Sequence, residues 1–231
     1  MKKLYIISLF LFFSHAIVSQ NNSQLDYAYS QEVSQENNEL KQRISLLPKE
    51  AININFLIAQ SIRKKDYYEA MKYANQLDSV VPNNPDVKNF KGKLFIILKD
   101  NSNALFSFEE AIKLNPNNKW FHINYVGLLF ENNEFDKALN AINNLITLFP
   151  NWSIGYNLKG GILQSLNRDE EALVIYKKAV KCEPKSALIY TNKGDLNSKL
   201  NNKNQAILDY KNALEIQPDY KLASDRLNSN L

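Results

Sequence analysis

The sequence predicts an all-α solenoid of stacked helical hairpins, because three series of residues share one step of 34 positions. Pro48, Pro82, Pro116, Pro150, Pro184 and Pro218 form the first series, and Pro85 alone stands outside it. Ala70, Ala104, Ala138, Ala172 and Ala206 form the second, each twelve residues ahead of a proline. Gly92, Gly160 and Gly194 form an incomplete third, twelve residues ahead of Ala104, Ala172 and Ala206. A common step in independent residue types marks a repeat architecture, in which each unit buries its apolar face on the next. The frame gives five repeats, 51–84, 85–118, 119–152, 153–186 and 187–220.

Within a repeat, apolar spacing predicts helices at positions 2–14 and 18–31. In the second repeat Phe90, Leu94, Ile97 and Leu98 lie on one face of the first helix, and Leu105, Phe108 and Ile112 on one face of the second. Gly92 and Ala104 are expected to mark the close crossing of the two helices, where a branched side chain has no room. Proline at position 32 ends the second helix, since it lacks an N–H and clashes with the preceding turn. Asn84 followed by Pro85 reads as an N-cap with proline at the first helical position.

These features resemble the tetratricopeptide repeat family over 170 of the 231 residues. Small residues at positions 8, 20 and 27 and proline at 32 carry the resemblance: Gly92, Ala104, Ala111 and Pro116, then Gly160, Ala172, Ala179 and Pro184. Ile58 and Val126 depart from it at position 8 and Leu77 and Leu145 at position 27, and no copy has the family's tryptophan at position 4. Repeats one and three are therefore expected to pack less typically. The strict step of 34 separates the chain from the RNA-reading pentatricopeptide repeats, which are one residue longer. The resemblance implies a right-handed superhelical solenoid of helix-turn-helix repeats that binds proteins, with the first helices lining its concave face.

At the amino end, Lys2 and Lys3 precede an apolar run from Leu4 to Phe13 and small residues at Ser14, Ala16 and Ser19, the layout of a signal peptide over residues 1–19. Export to the periplasm or outside the cell is the expectation. An uncleaved membrane anchor is the rival, disfavoured because a span needs about 20 apolar residues. No cysteine lies near the end of the run, which excludes a lipoprotein anchor. Residues 20–50 begin rich in Gln, Asn and Ser, and then Leu40, Ile44 and Leu47 share a helical face ahead of Pro48. This half reads as the second helix of a degraded repeat that covers the first true one, with another helix expected around Leu25 to Val33. Residues 221–231, with Ala223, Leu227 and Leu231 in four-residue steps, read as a C-terminal capping helix.

Lys2 and Lys3 supply two of the four net positive charges, so the chain after the leader is close to neutral. No long basic stripe of the kind that grips phosphates is visible, and nucleic acid is not expected as a partner. After the leader the chain has one cysteine, Cys182, and one histidine, His122. Cys182 falls where other copies carry aliphatic residues and His122 where they carry Ile, Lys or Tyr, so both read as packing residues. A metal site needs three or four convergent ligands and a nucleophile needs a base. Neither an enzyme nor a cofactor is expected.

The resemblance places positions 2, 5, 9, 12 and 13 of the first helices on the concave face, and steps of three and four put most of them on one helical side. Polar residues flank this face: Asn55 and Arg63, Asn89 and Lys93, Asn157, Gln164 and Ser165, then Thr191, Asp195, Ser198 and Lys199. Its middle is apolar, with Trp120, Ile123 and Phe130. The amides suit an extended backbone, while the aromatic residues either anchor a ligand side chain or fill the stacking core. The family's lysine and asparagine clamp for chaperone carboxylates is not reproduced, since Asn55 and Ala59 stand in its place. The expected function is a non-catalytic scaffold binding a protein or peptide in the groove. Two alternatives remain: a self-associating structural subunit of a cell-envelope complex, and a glycan-associated protein using Trp120 and Trp152.

Overall fold

The computed structural model describes residues 26–230; residues 1–25, with the signal peptide expected from sequence, and Leu231 lie outside them. Among the described residues there are twelve helices and no strand. They are α1 (Tyr27–Ser45), α2 (Lys49–Arg63), α3 (Tyr67–Val80), α4 (Pro85–Ile97), α5 (Asn101–Leu114), α6 (Lys119–Glu131), α7 (Phe135–Leu148), α8 (Ser153–Ser165), α9 (Asp169–Cys182), α10 (Ala187–Lys199), α11 (Lys203–Ile216) and α12 (Lys221–Asn230). From α2 to α11 they form the hairpins of an all-α repeat fold. In repeats two to five the first helix takes positions 1–13 and the second 17–30, slightly earlier than apolar spacing alone suggests.

Backbone chemistry at the helix ends accounts for these bounds. Position 15 is Lys65, Lys99, Asn133, Asn167 and Asn201 in turn, and each has φ between 56° and 62°. This left-handed residue ends the first helix with a Schellman pattern: Lys65 N–H donates to Ile62 O and Asp66 N–H to Ser61 O, both at 2.9 Å. Asp66 and Asp100 then cap the second helix, accepting from the N–H of Glu69 and Asn103. The second helices stop because the residue before each periodic proline is driven out of the helical region; Val81 has ψ 68°, Asn115 84° and Glu183 88°. Asn84 caps α4 through Val87 N–H, with Pro85 in the first turn, as expected.

The described residues divide into two compact units, one of 35–129 and one of 26–34 together with 130–230. In the first, Ala51, Ile54, Ile58, Ala70, Ala74 and Leu77 form a cluster that continues to Val87 and Leu94. Gly92 faces the ring of Phe108, and Ala104, expected from sequence to mark the crossing with it, is buried beside Phe108 and Leu128. Repeat one carries Ile58 where the second has this glycine, and Ala74 where it has Phe108. Both are buried in one cluster, so the bulk has changed helices rather than been lost.

In the second unit the glycine and ring recur as Gly160 with Tyr176 and Gly194 with Tyr210. Cys182 packs against the cluster of Tyr156, Ala179 and Ile189, a core role. Helix α12 buries Ala223 against Ala187, Leu188, Ala213 and Tyr220, closing the end of the last repeat.

The amino-terminal segment differs from its sequence reading. One helix, α1, replaces the two expected; its first eight residues belong to the second unit and the rest to the first. Its one buried residue is Glu36, and its apolar Val33, Leu40 and Ile44 are only half-buried. Glu36 stands 34 residues ahead of Ala70, where the alanine series would continue, and it is this charged residue that packs inward.

Candidate functional site

In the first unit, α4 opens at Pro85, which puts Asp86 in its first turn, where a carboxylate also suits the helix dipole. One residue of α1 meets it. Arg43 grips Asp86 with both arms of its fork, Nε to Oδ2 at 2.8 Å and Nη2 to Oδ1 at 3.0 Å. The same Nη2 donates to Glu36 Oε1 at 2.8 Å, and Asn118 Nδ2 donates to that oxygen at 3.2 Å. Burial works to lower the Arg43 pKa, but Asp86 and Glu36 outweigh it and hold the guanidinium above its ordinary value.

Lys93 is 3 % exposed, and burial pushes its pKa down to about 7 against the opposing pull of Glu36 and Asp86. Asn89 is buried and its Oδ1 accepts from Asn124 Nδ2 at 2.7 Å, a bond between successive first helices. Trp120 and Ile123 are 4 % and 6 % exposed. With α1 in place, these side chains are buried. Asn55 is half-buried on α2.

The second unit repeats the asparagine bond, Asn192 Nδ2 donating to Asn157 Oδ1 at 2.9 Å. Other residues expected on the groove face are also engaged within the fold. Gln164 accepts from Tyr176 Oη at 2.7 Å, and the buried Thr191 hydroxyl donates to Ala187 O at 2.8 Å. Asp195 accepts from Tyr210 Oη at 2.8 Å and Arg226 Nε at 2.9 Å; burial still leaves its pKa raised. Ser198 bonds Tyr210, Lys199 pairs with Asp169 at 2.7 Å, and the Phe130 ring lies tilted on Phe135 at 5.4 Å.

Asp26, just ahead of α1, is the centre of this unit's second cluster. One carboxylate oxygen accepts from Tyr29 N–H at 2.9 Å, capping α1. The other accepts from Leu188 N–H at 3.0 Å and Ser186 Oγ at 3.2 Å, at the start of α10. Tyr27 adds its N–H to Gln217 Oε1 at 3.2 Å and its hydroxyl to Asp219 Oδ1 at 3.1 Å. One buried carboxylate therefore serves two helix N-termini, each of which favours negative charge.

In each unit, then, the opening turns of first helices hold part of α1 through polar and ionic contacts. Asp26, Glu36, Arg43, Asp86 and Asn118 were not among the groove residues expected from sequence. The available signal was the spacing of Glu36 and Arg43, seven residues and two turns apart on one helical face.

Among the described residues little else suggests chemistry. His122 Nε2 donates to Pro116 O at 2.8 Å and burial pushes its pKa down, which fits a structural role. Among the described residues no group of three or more His, Cys, Asp and Glu is placed to hold a metal ion. An open cleft of about 800 Å³ lies beside Leu173, Lys177, Lys193 and Lys203; its most buried lysine, Lys193, already pairs with Asp209 at 2.8 Å. Among the described residues no helix is long and apolar enough to cross a membrane.

Two models of the tetratricopeptide repeat match the chain, one over residues 95–162 and the other over 155–186 and 187–220, together more than half of it. A comparison with curated proteins found no match. Among solved structures, MamA from Desulfovibrio magneticus RS-1 is 19% identical with a TM-score of 0.62, over 74% of this chain and 97% of that one. YrrB, described as a TPR protein with an unusual peptide-binding site, is 19% identical with a TM-score of 0.57, over 77% and 90%. Yeast Tom70 is 22% identical with a TM-score of 0.65, over 84% of this chain and 41% of its own length. At these identities the likeness is one of fold. Repeat step, helix bounds and family models agree, and the chain belongs to the tetratricopeptide-repeat proteins.

Proposed function

We propose that this protein is a non-catalytic scaffold that binds a protein segment on the face formed by its first helices. The observation that supports this most is that the face already holds a helix, α1, at the turns carrying Asp86 and Asn118 in one unit and Ser186 and Leu188 in the other. A surface that seats one helix through directed polar contacts has the recognition chemistry for another. YrrB, described as having a peptide-binding site, offers a precedent within the fold. The pattern of Met1 to Gln20 supports export, so the partner is sought in the cell envelope or outside the cell.

The test is site-specific photocrosslinking in the native envelope or secreted fraction. A crosslinker at Asn55 or Ser165 on the first helices is expected to yield a heavier adduct with another polypeptide, and one at Phe106 or Val174 is not. The reverse pattern would move the binding surface to the second helices. That outcome is the structural-subunit reading, which has one observation in its favour: Phe106, Val174 and Leu208 share position 22 and are each at least half exposed.

A further inference from the structure

Helix α1 is bound differently from every helix of the repeats. Helix α2 buries Ala51, Ile54 and Ile58, and α4 buries Val87 and Leu94, whereas the one buried residue of α1 is the carboxylate Glu36. Its sequence, YAYSQEVSQENNELKQRIS, carries mostly polar side chains. Helices in proteins draw most of their stability from packing rather than propensity, so α1, with few apolar side chains, owes its order to what it touches. What it touches is a set of charge-assisted contacts: Arg43 on Asp86, Glu36 beside Asn118 and Lys93, and Asp26 on the amide of Leu188. Such buried ionic contacts contribute little net stability compared with apolar packing, but they demand a register, because a mismatched partner leaves a charge buried without its counterpart. Contacts that fix register while adding little stability are those of an exchangeable ligand.

We propose that α1 is an intramolecular ligand that closes the first-helix face, and that the partner displacing it is a helical segment presenting a carboxylate and, seven residues later, an arginine. This rests on reading that face as the binding surface. Withdrawal of α1 would leave Asp86 without its guanidinium and Lys93 and Asn118 without the Glu36 carboxylate. A replacing helix must therefore supply the same charges two turns apart, where residues i and i+7 share a face. Tethering gives α1 an effective concentration on the order of millimolar, so a free helix of equal intrinsic affinity binds the closed chain far more weakly than an opened one.

The probe is a fluorescein-labelled peptide of residues 26–45, titrated into the full wild-type chain and into the full chain carrying Glu36→Lys and Arg43→Glu. The opened variant is expected to bind it at least tenfold more tightly than wild type, and a peptide carrying the same two changes is expected to bind neither. Equal affinity for both chains would overturn the closure while leaving the face able to seat a helix. No binding to the folded variant would overturn α1 as a ligand, while partner crosslinking at Asn55 would still stand for the scaffold itself. Hydrogen exchange on the wild-type chain decides independently of the variant's folding. The amides of α1 are expected to exchange at least tenfold faster than those of α4 and α8, and exchange at equal rates would overturn the proposal.

Discussion

A Cβ added to Gly92 would lie 2.5 Å from Cε1 of Phe108, inside any real contact distance. The glycine exists for the ring. Gly92→Ala gains up to about 1 kcal/mol in helix propensity and must then displace a fully buried phenyl. The net expectation is destabilisation by about 1–3 kcal/mol in urea unfolding, the usual cost of overpacking. Adding Phe108→Leu should recover part of the loss, and additivity of the two changes would show that they do not share the space.

Position 15 offers the opposite case, a residue type that its backbone disfavours. Lys99 is exposed with φ 62°, so its side chain gains nothing from packing and its Cβ carries the left-handed penalty. Lys99→Gly is expected to stabilise the chain by about 0.5–1 kcal/mol, after the entropy lost by glycine. Asn133→Gly should gain less, since asparagine tolerates this region. Equal unfolding midpoints for Lys99→Gly and wild type would contradict the argument.

Ala104 and Ala172 are fully buried on second helices, each beside the aromatic residue that faces the repeat's glycine. Ala104→Leu or Ala172→Leu is expected to cost about 1–3 kcal/mol in thermal or urea unfolding. Unchanged transitions for both would mean that space exists around them.

Lys93 makes stability depend on pH in a definite direction. Its folded-state pKa of about 7 lies below its ordinary 10.5, so between these values the unfolded chain holds the extra proton. Stability should therefore rise as pH increases from 7 to 9, by no more than about 1.4 kcal/mol per unit from this group. Lys93→Met should lack that contribution, and an identical pH slope in the two proteins would show that Lys93 titrates normally.

Much of this architecture was legible because its determinants act locally. A proline every 34 residues ends a helix through its own ring and the backbone before it, whatever packs around it. The glycine series signalled a close approach correctly but not the ring of Phe108, which lies on the same helix as Ala104 and which only packing brings against Gly92. Asn89 and Asn157 looked like donors for a ligand backbone; their side-chain oxygens accept from Asn124 and Asn192, and nothing in one repeat's sequence announces a bond to the next.

The sequence by itself determined the repeat, its length, its helices and their order, because spacing, capping and proline geometry are properties of neighbouring residues. Only the tertiary structure decided where α1 lies and which residues hold it. Arg43 meets Asp86, Glu36 meets Asn118 and Asp26 meets Ser186 across separations of 43, 82 and 160 residues. The repeat side of these contacts recurs, Asp86 and Leu188 at position 2 and Asn118 and Ser186 at position 34, but which residue of α1 meets each is set by the packing of the folded chain.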